Sequence, residues 1–397
     1  MLSRPASCLS VFLLTLSLHL TAQKNLHENA IVVDTHNDVL STATMKGLNI
    51  EDDLRGKTHS DLSRFRKGGV DIQIFSIFCD EKFGKGTAFR QAIREIDSLD
   101  AIVARNPDKI MLVNSVADLR EAVRLHRIGA MKGVEGGHMI EDRMDYLDSL
   151  YHRGARYLTL TWNNSTSWAS SAWDETFLDS GKPTTITKKG LNEFGRDVVK
   201  HMNELGMLVD LSHVGPQTFY DALAVSKKPV IVSHSCAWAI CPVPRNLTDD
   251  QIRAIGKNGG VIHLNFYSGF LDSSYNRHKQ AFLDRHQSEA DSLKSLQWPS
   301  YEIDDYISKK YVEEADSLRP SMNVLLNHLD HIVDLIGVNH VGLGSDFDGI
   351  ESAPQDLDGV EDMPVITSAL IVRGYSKKEI KKILGGNFVR LLKANEK

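Results

Sequence analysis

The chain has 397 residues, 42% of them hydrophobic and 25% charged, and its 46 Lys and Arg against 52 Asp and Glu leave a formal net charge of −6. An acidic balance with no basic stripe excludes a nucleic-acid partner and points to small solutes. The length is enough for one large core, so stability need not come from cross-links. Of the four cysteines, Cys8 lies in the N-terminal segment, and the odd remainder of Cys79, Cys236 and Cys241 does not describe a disulfide framework.

The N-terminus reads as a targeting segment. Arg4 precedes an apolar run, Leu9–Leu20, that ends at Thr21-Ala22-Gln23. A run this short before a small residue predicts a secretory signal over 1–22, cleaved near Ala22, because a membrane anchor needs about 20 apolar residues. The C-terminal stretch Leu391–Lys397 carries no hydrophobic tail for a glycolipid anchor. The expectation is an exported, unanchored protein whose residues 23–397 form a single catalytic domain.

Eight short, β-branched-rich runs predict buried parallel strands: Ala30–Asp34, Val70–Ile77, Ala130–Val134, Arg156–Leu160, Leu208–Leu211, Val230–Ser233, Gly260–Asn265 and Val341–Gly344. Lys109–Asn114 is strand-like and is assigned an accessory position. Helical patterns fall between them at Ala117–His126, Asp142–Arg153, Gly190–Leu205, Pro216–Ala224 and Asp249–Lys257, with start signals at Ser115 and Thr248. The alternation predicts a (β/α)8 TIM-like barrel. A doubly wound open sheet would need a glycine-rich turn after the first strand, where this chain has Asp34-Thr35-His36-Asn37-Asp38. The polar segment 271–319 breaks the alternation and predicts a helical insertion after the seventh barrel strand.

Potential metal ligands stand at the ends of these runs. In a parallel barrel the C-terminal strand ends share one mouth, which brings together His36, Asp38, Glu135, His213, His234 and Asp346. Isolated histidines usually serve packing or surface roles, so His138, His152, His201, His328 and His331 are set aside, as is His263 inside a strand. Three histidines and two carboxylates exceed what one catalytic zinc takes. A carboxylate can bridge two cations roughly 3.5–4 Å apart that share a reactive hydroxide. Glu135 is the natural bridge, which leaves Asp346 free as general base and proton shuttle.

At these residues the chain resembles the membrane dipeptidase (renal dipeptidase) family of binuclear zinc peptidases, over roughly Ala30 to Leu392. The motifs are DTHND (Asp34–Asp38), KGVEGG (Lys132–Gly137), VDLSH (Val209–His213), VSHS (Val232–Ser235), PRN (Pro244–Asn246), NFY (Asn265–Tyr267) and SDFDG (Ser345–Gly349). The resemblance implies two Zn²⁺ per chain, with His36 and Asp38 on one, His213 and His234 on the other, and Glu135 between them. It further implies Arg245 on the carboxylate of a dipeptide substrate, Asp346 beside the bridging water, Tyr267 near the substrate carboxylate, tolerance of a C-terminal D-residue, and a homodimer. One departure stands out: where the family often has a histidine in a TLTH run, this chain has Trp162. Indole donates a hydrogen bond and carries no charge, so oxyanion support and substrate choice are open at that point. Two other readings remain: a same-fold amidohydrolase acting on another carboxylate-bearing amide or lactam, and a non-catalytic peptide-binding protein.

Overall fold

The computed structural model describes residues 25–397, so the expected signal over 1–22 lies outside the described residues. Strands β1 (Val33–Asn37), β2 (Ile72–Phe78), β3 (Ile110–Leu112), β4 (Ile128–Glu135), β5 (Ala155–Thr159), β6 (Leu208–Asp210), β7 (Ile231–Val232), β8 (Val261–Leu264) and β9 (Val341–Leu343) form one sheet. The order β2-β1-β9-β8-β7-β6-β5-β4-β3, with β2 also paired to β4, closes eight strands into a barrel and leaves β3 outside. All pairings between these strands are parallel, as a (β/α)8 barrel requires. β3 pairs only with Ile128–Ala130 at the start of β4, whereas β5 takes Lys132–Glu135 further along. That division of one edge is why the extra strand-like run lies outside the ring.

Boundaries differ from expectation at the first strand. β1 runs from Val33 to Asn37 rather than ending at Asp34, so His36 sits inside the strand and Asp38 just beyond it. Apolar patterning places the end too early because the last turns of this strand are polar yet fully buried, with Thr35, His36 and Asn37 at 0% exposure. The flanking side chains are bonded inside the protein: Thr35 Oγ1 donates to Ser233 O (2.6 Å) and Asn37 Nδ2 to Ser60 Oγ (2.7 Å).

The helices begin where the caps predicted. Ser115 Oγ accepts from the Asp118 amide ahead of Val116–Arg124, and Thr248 with Gln251 forms a capping box ahead of Asp249–Asn258, each cap stabilising its helix by about 1 kcal/mol. Between β8 and β9 the chain forms helices Ser273–Arg285, Gln287–Ser295, Ser300–Lys310 and Val312–Asp316. They bury Phe282, Ile303 and Ile307 in a small cluster of their own. Lys279 ties them to the barrel through Glu351 (2.5 Å) in the loop after β9, and also pairs with Asp304 (2.8 Å). No helix among the described residues is long and apolar enough to cross a membrane.

Candidate metal centre and active site

β1, β4, and the loops after β6 and β7 carry four groups to one point at the barrel mouth. Glu135, the last residue of β4, is the hub: its Oε2 lies 3.3 Å from His36 Nε2, and its Oε1 lies 2.9 Å from His213 Nε2 and 3.5 Å from His234 Nε2. Asp38 Oδ2 is 3.4 Å from His36 Nε2, and Asp346 Oδ1 is 3.9 Å from it. Three overlapping groups therefore have ligand atoms within 4.8 Å of one another: His36/Asp38/Glu135, Glu135/His213/His234 and His36/His234/Asp346.

The other ring nitrogen of each histidine is held from behind. His36 Nδ1 is 2.8 Å from Tyr157 Oη, His213 Nδ1 is 3.1 Å from Asn163 Oδ1, and His234 Nδ1 is 2.8 Å from Ser233 Oγ. Carboxamide oxygen and a phenol that itself donates to Thr35 O (3.2 Å) both accept from Nδ1–H, which turns an Nε2 lone pair toward Glu135. Tyr157 reaches His36 across β4 only because position 133 is glycine: a Cβ there would stand 2.0 Å from the tyrosine ring.

These atoms fit a metal centre. His36 Nε2 and Asp38 Oδ1 are buried and accept or donate no hydrogen bond. His213 Nε2 and His234 Nε2 face each other at 2.9 Å, and with both protons on Nδ1 the two lone pairs would converge on a shared cation. Burial pushes the His213 imidazole down to about 3, with Arg245 adding to the effect, and takes His234 well below its ordinary range. Both are thus neutral, as ligands must be. Burial pushes the carboxyls of Asp38 and Asp346 up, and their neighbour Glu135 pushes the same way. Bound cations would reverse that crowding.

Asp346 is fixed by backbone as well as side chain. Its amide donates to His36 O (3.1 Å) and its Oδ2 accepts from Asn265 Nδ2 (2.7 Å). Asp346 and His213 both adopt left-handed backbone, at φ 63° and 64°, which costs a non-glycine residue on the order of 1 kcal/mol or more and is characteristic of functional loops. Gly349 leaves space for the acid pair, since a Cβ there would meet Asp38 Oδ2 at 2.3 Å and Asp346 Oδ1 at 2.6 Å.

A cavity of about 1100 Å³ opens over this centre, and Asp38, Glu135, Trp162, His213, Arg245 and Asp346 all line it. Arg245 is buried, held by Ser235 Oγ and His234 O (both 3.2 Å), and its Nε has no protein partner. Trp162 is half-buried in the cavity wall, 5.0 Å from the Phe78 ring and 6.3 Å from Tyr301 of the Ser300–Lys310 helix. Tyr267 lines the same cavity, but its hydroxyl donates to Glu351 (2.8 Å) and accepts from Lys279 (3.0 Å). Of the histidines set aside, His263 is buried in β8 with Nδ1 on Val232 O (3.0 Å), and His328 bridges Ala237 N and Leu271 O.

Sequence reasoning missed the residues behind the ligands: Tyr157, Asn163, Asn265, Ser233 and Asp210. Asp210 carried a signal, because a carboxylate within the apolar run LVDLSH must have buried partners. Asn163 and Tyr157 carried none, since their roles depend on which strands adjoin.

Histidines and carboxylates converging on the C-terminal mouth of a parallel barrel, with three overlapping ligand groups that could hold a cation, define a metal-dependent hydrolase. The chain belongs to the membrane dipeptidase family (peptidase family M19), whose family model matches residues 20–397, and it is accordingly a metal-dependent dipeptidase. It is 31% identical over 390 residues to an uncharacterized dipeptidase of Schizosaccharomyces pombe, covering 94% of this chain and 82% of that one. Among solved structures it resembles the probable dipeptidase PvdM of Pseudomonas aeruginosa (22% identity, TM-score 0.78, covering 96% and 98% of the two chains). It also resembles a Rhodobacter sphaeroides metallopeptidase bound to a phosphinate mimic of L-Ala-D-Ala (24% identity, TM-score 0.73, covering 93% and 100%).

Proposed function

We propose that the chain is an exported dipeptidase that holds two zinc ions and cleaves free dipeptides, including those with a C-terminal D-residue. The observation that carries this reading is the pair of Glu135 oxygens, one facing His36 and the other facing His213 and His234. One ion would take His36 and Asp38, the other His213 and His234, with Glu135 shared. Bound there, the metals would polarise the scissile carbonyl and make water nucleophilic at neutral pH. Asp346, at the edge of the set and oriented by Asn265, takes the proton from that water and returns it to the leaving amine.

Arg245 receives the substrate carboxylate with the guanidinium edge that Ser235 and His234 leave free. Tyr267 adds bulk beside it, its hydroxyl being committed to Glu351 and Lys279. Trp162 borders the substrate cavity as an apolar wall with at most a neutral donor. The C-terminal D-residue is supported by the mimic that the Rhodobacter relative binds. The resemblance supports a homodimer, and the segment 1–22 supports export.

The test is elemental analysis of the exported protein, whose N-terminus should read from about Gln23, combined with a dipeptide screen. About two zinc per chain are expected, with His36→Ala and His234→Ala each losing one. The screen pairs L- and D-residues at the C-terminal position and includes N-acyl amino acids and a lactam. One metal or fewer in zinc-replete protein removes the binuclear reading. Turnover of the acyl compounds or the lactam alone moves the substrate to another carboxylate-bearing amide.

A further inference from the structure

The histidine after β7 is held through a longer chain of bonds than the other two. Ser233 Oγ lies 2.8 Å from His234 Nδ1 and 2.6 Å from Asp210 Oδ2. The shorter contact has the length of a hydroxyl donating to a carboxylate. A serine hydroxyl has one proton and two acceptor sites. With its proton committed to Asp210, Ser233 Oγ is left to accept, from His234 Nδ1–H and from Ser212 Oγ at 3.1 Å.

Asp210 is built to remain an acceptor. Its Oδ1 takes the backbone amides of Ser212 (3.1 Å) and Ser233 (2.9 Å), and its Oδ2 takes the Thr159 hydroxyl (2.6 Å) besides Ser233. Every proton in the group thus runs toward one fully buried carboxylate.

We propose that Asp210, acting through Ser233, sets the tautomer of His234: the imidazole proton is kept on Nδ1 and the lone pair on Nε2, where Glu135 and a metal meet it. Asp210 is then a positioning residue for the His213/His234 metal pocket. The inference rests on His234 being a ligand, as proposed above.

Asp210→Asn is nearly isosteric and reverses the chain. An amide nitrogen in place of Oδ2 donates to Ser233 Oγ, which then turns its own proton toward His234 Nδ1. That arrangement favours the imidazole proton on Nε2, the atom that has to bind. Restoring the binding tautomer would turn the Ser233 proton onto Ser212 Oγ, which already accepts from the His234 amide, and so strip the Ser212 hydroxyl proton of its acceptor in this buried group. Ser233→Ala instead removes the link and leaves the tautomer free, so its effect is smaller.

The experiment titrates zinc-loaded protein with a chelator and follows zinc retained per chain against free zinc, for wild type, Asp210→Asn, Ser233→Ala and His234→Ala. His234→Ala identifies which transition belongs to this pocket. In Asp210→Asn that transition is expected at about 10- to 100-fold higher free zinc, with the other transition and the melting temperature at saturating zinc close to wild type. Ser233→Ala should move the same transition by less. The relay is overturned if the Asp210→Asn curve coincides with wild type, or if both transitions weaken together while the saturated protein melts lower. A wild-type zinc curve in His234→Ala would remove the ligand reading itself, and the relay with it.

Discussion

Replacing Arg245 with alanine tests how the cavity holds its substrate. The guanidinium carries five N–H donors. Two nitrogens are committed, Nη1 to Ser235 Oγ and Nη2 to His234 O at 3.2 Å each, and Nε has no protein partner. Donors therefore remain for a carboxylate, and the residue is only 3% exposed, so the pair forms out of water. Losing one partner of such a buried charged pair costs about 2–5 kcal/mol. At about 1.4 kcal/mol per tenfold, kcat/KM for a dipeptide should fall roughly 30- to 4000-fold, chiefly through KM. The matching dipeptide amide, which has no carboxylate, should lose much less, so the acid-to-amide ratio collapses. Arg245→Lys should fall between, since it keeps the charge and loses the planar fork. Because Arg245 also touches the backbone of His234, zinc content is measured alongside. Equal losses for acid and amide at unchanged zinc content would refute carboxylate recognition.

Asp346→Asn should keep the metals, because two of the three ligand groups do not need it, while kcat drops on the order of 100-fold or more; loss of zinc in that variant would make Asp346 a ligand. Trp162→Ala should change relative kcat/KM among dipeptides more than zinc content, and Trp162→His should raise turnover of simple dipeptides by supplying a better donor to the oxyanion. Unchanged relative specificity with a lower melting temperature would return Trp162 to a packing role. A further prediction concerns Asp71, whose carboxyl burial pushes up from 3.8 to about 6, opposed by a bond from the Val32 amide. A carboxyl raised in the folded state contributes its stability fully below about pH 4 and loses it as pH rises through about 6. Asp71→Asn should therefore raise thermal stability at pH 7–8, by up to roughly 2–3 kcal/mol, and change little near pH 4. The same gain at both pH values would refute the assignment.

The sequence by itself determined the barrel and the candidate ligand groups that the structure brings to one mouth. Eight runs such as Leu208–Leu211 and Val230–Ser233 are buried on both faces, so hydrophobicity marks them, and a ligand type following five of them identifies the mouth because parallel strands all end on one side. Only the tertiary structure decided where β1 ends, since a strand whose last residues are polar but bonded inside the barrel leaves no apolar trace. It alone also decided that Ser300–Lys310 places Tyr301 against Trp162 and that Tyr157, Asn163 and Asp210 stand behind the three histidines. Such partners are set by strand adjacency and by close approaches like Gly133 against Tyr157. Adjacency in a closed sheet joins residues such as His36 and Tyr157, 121 positions apart, and no local pattern in the chain encodes it.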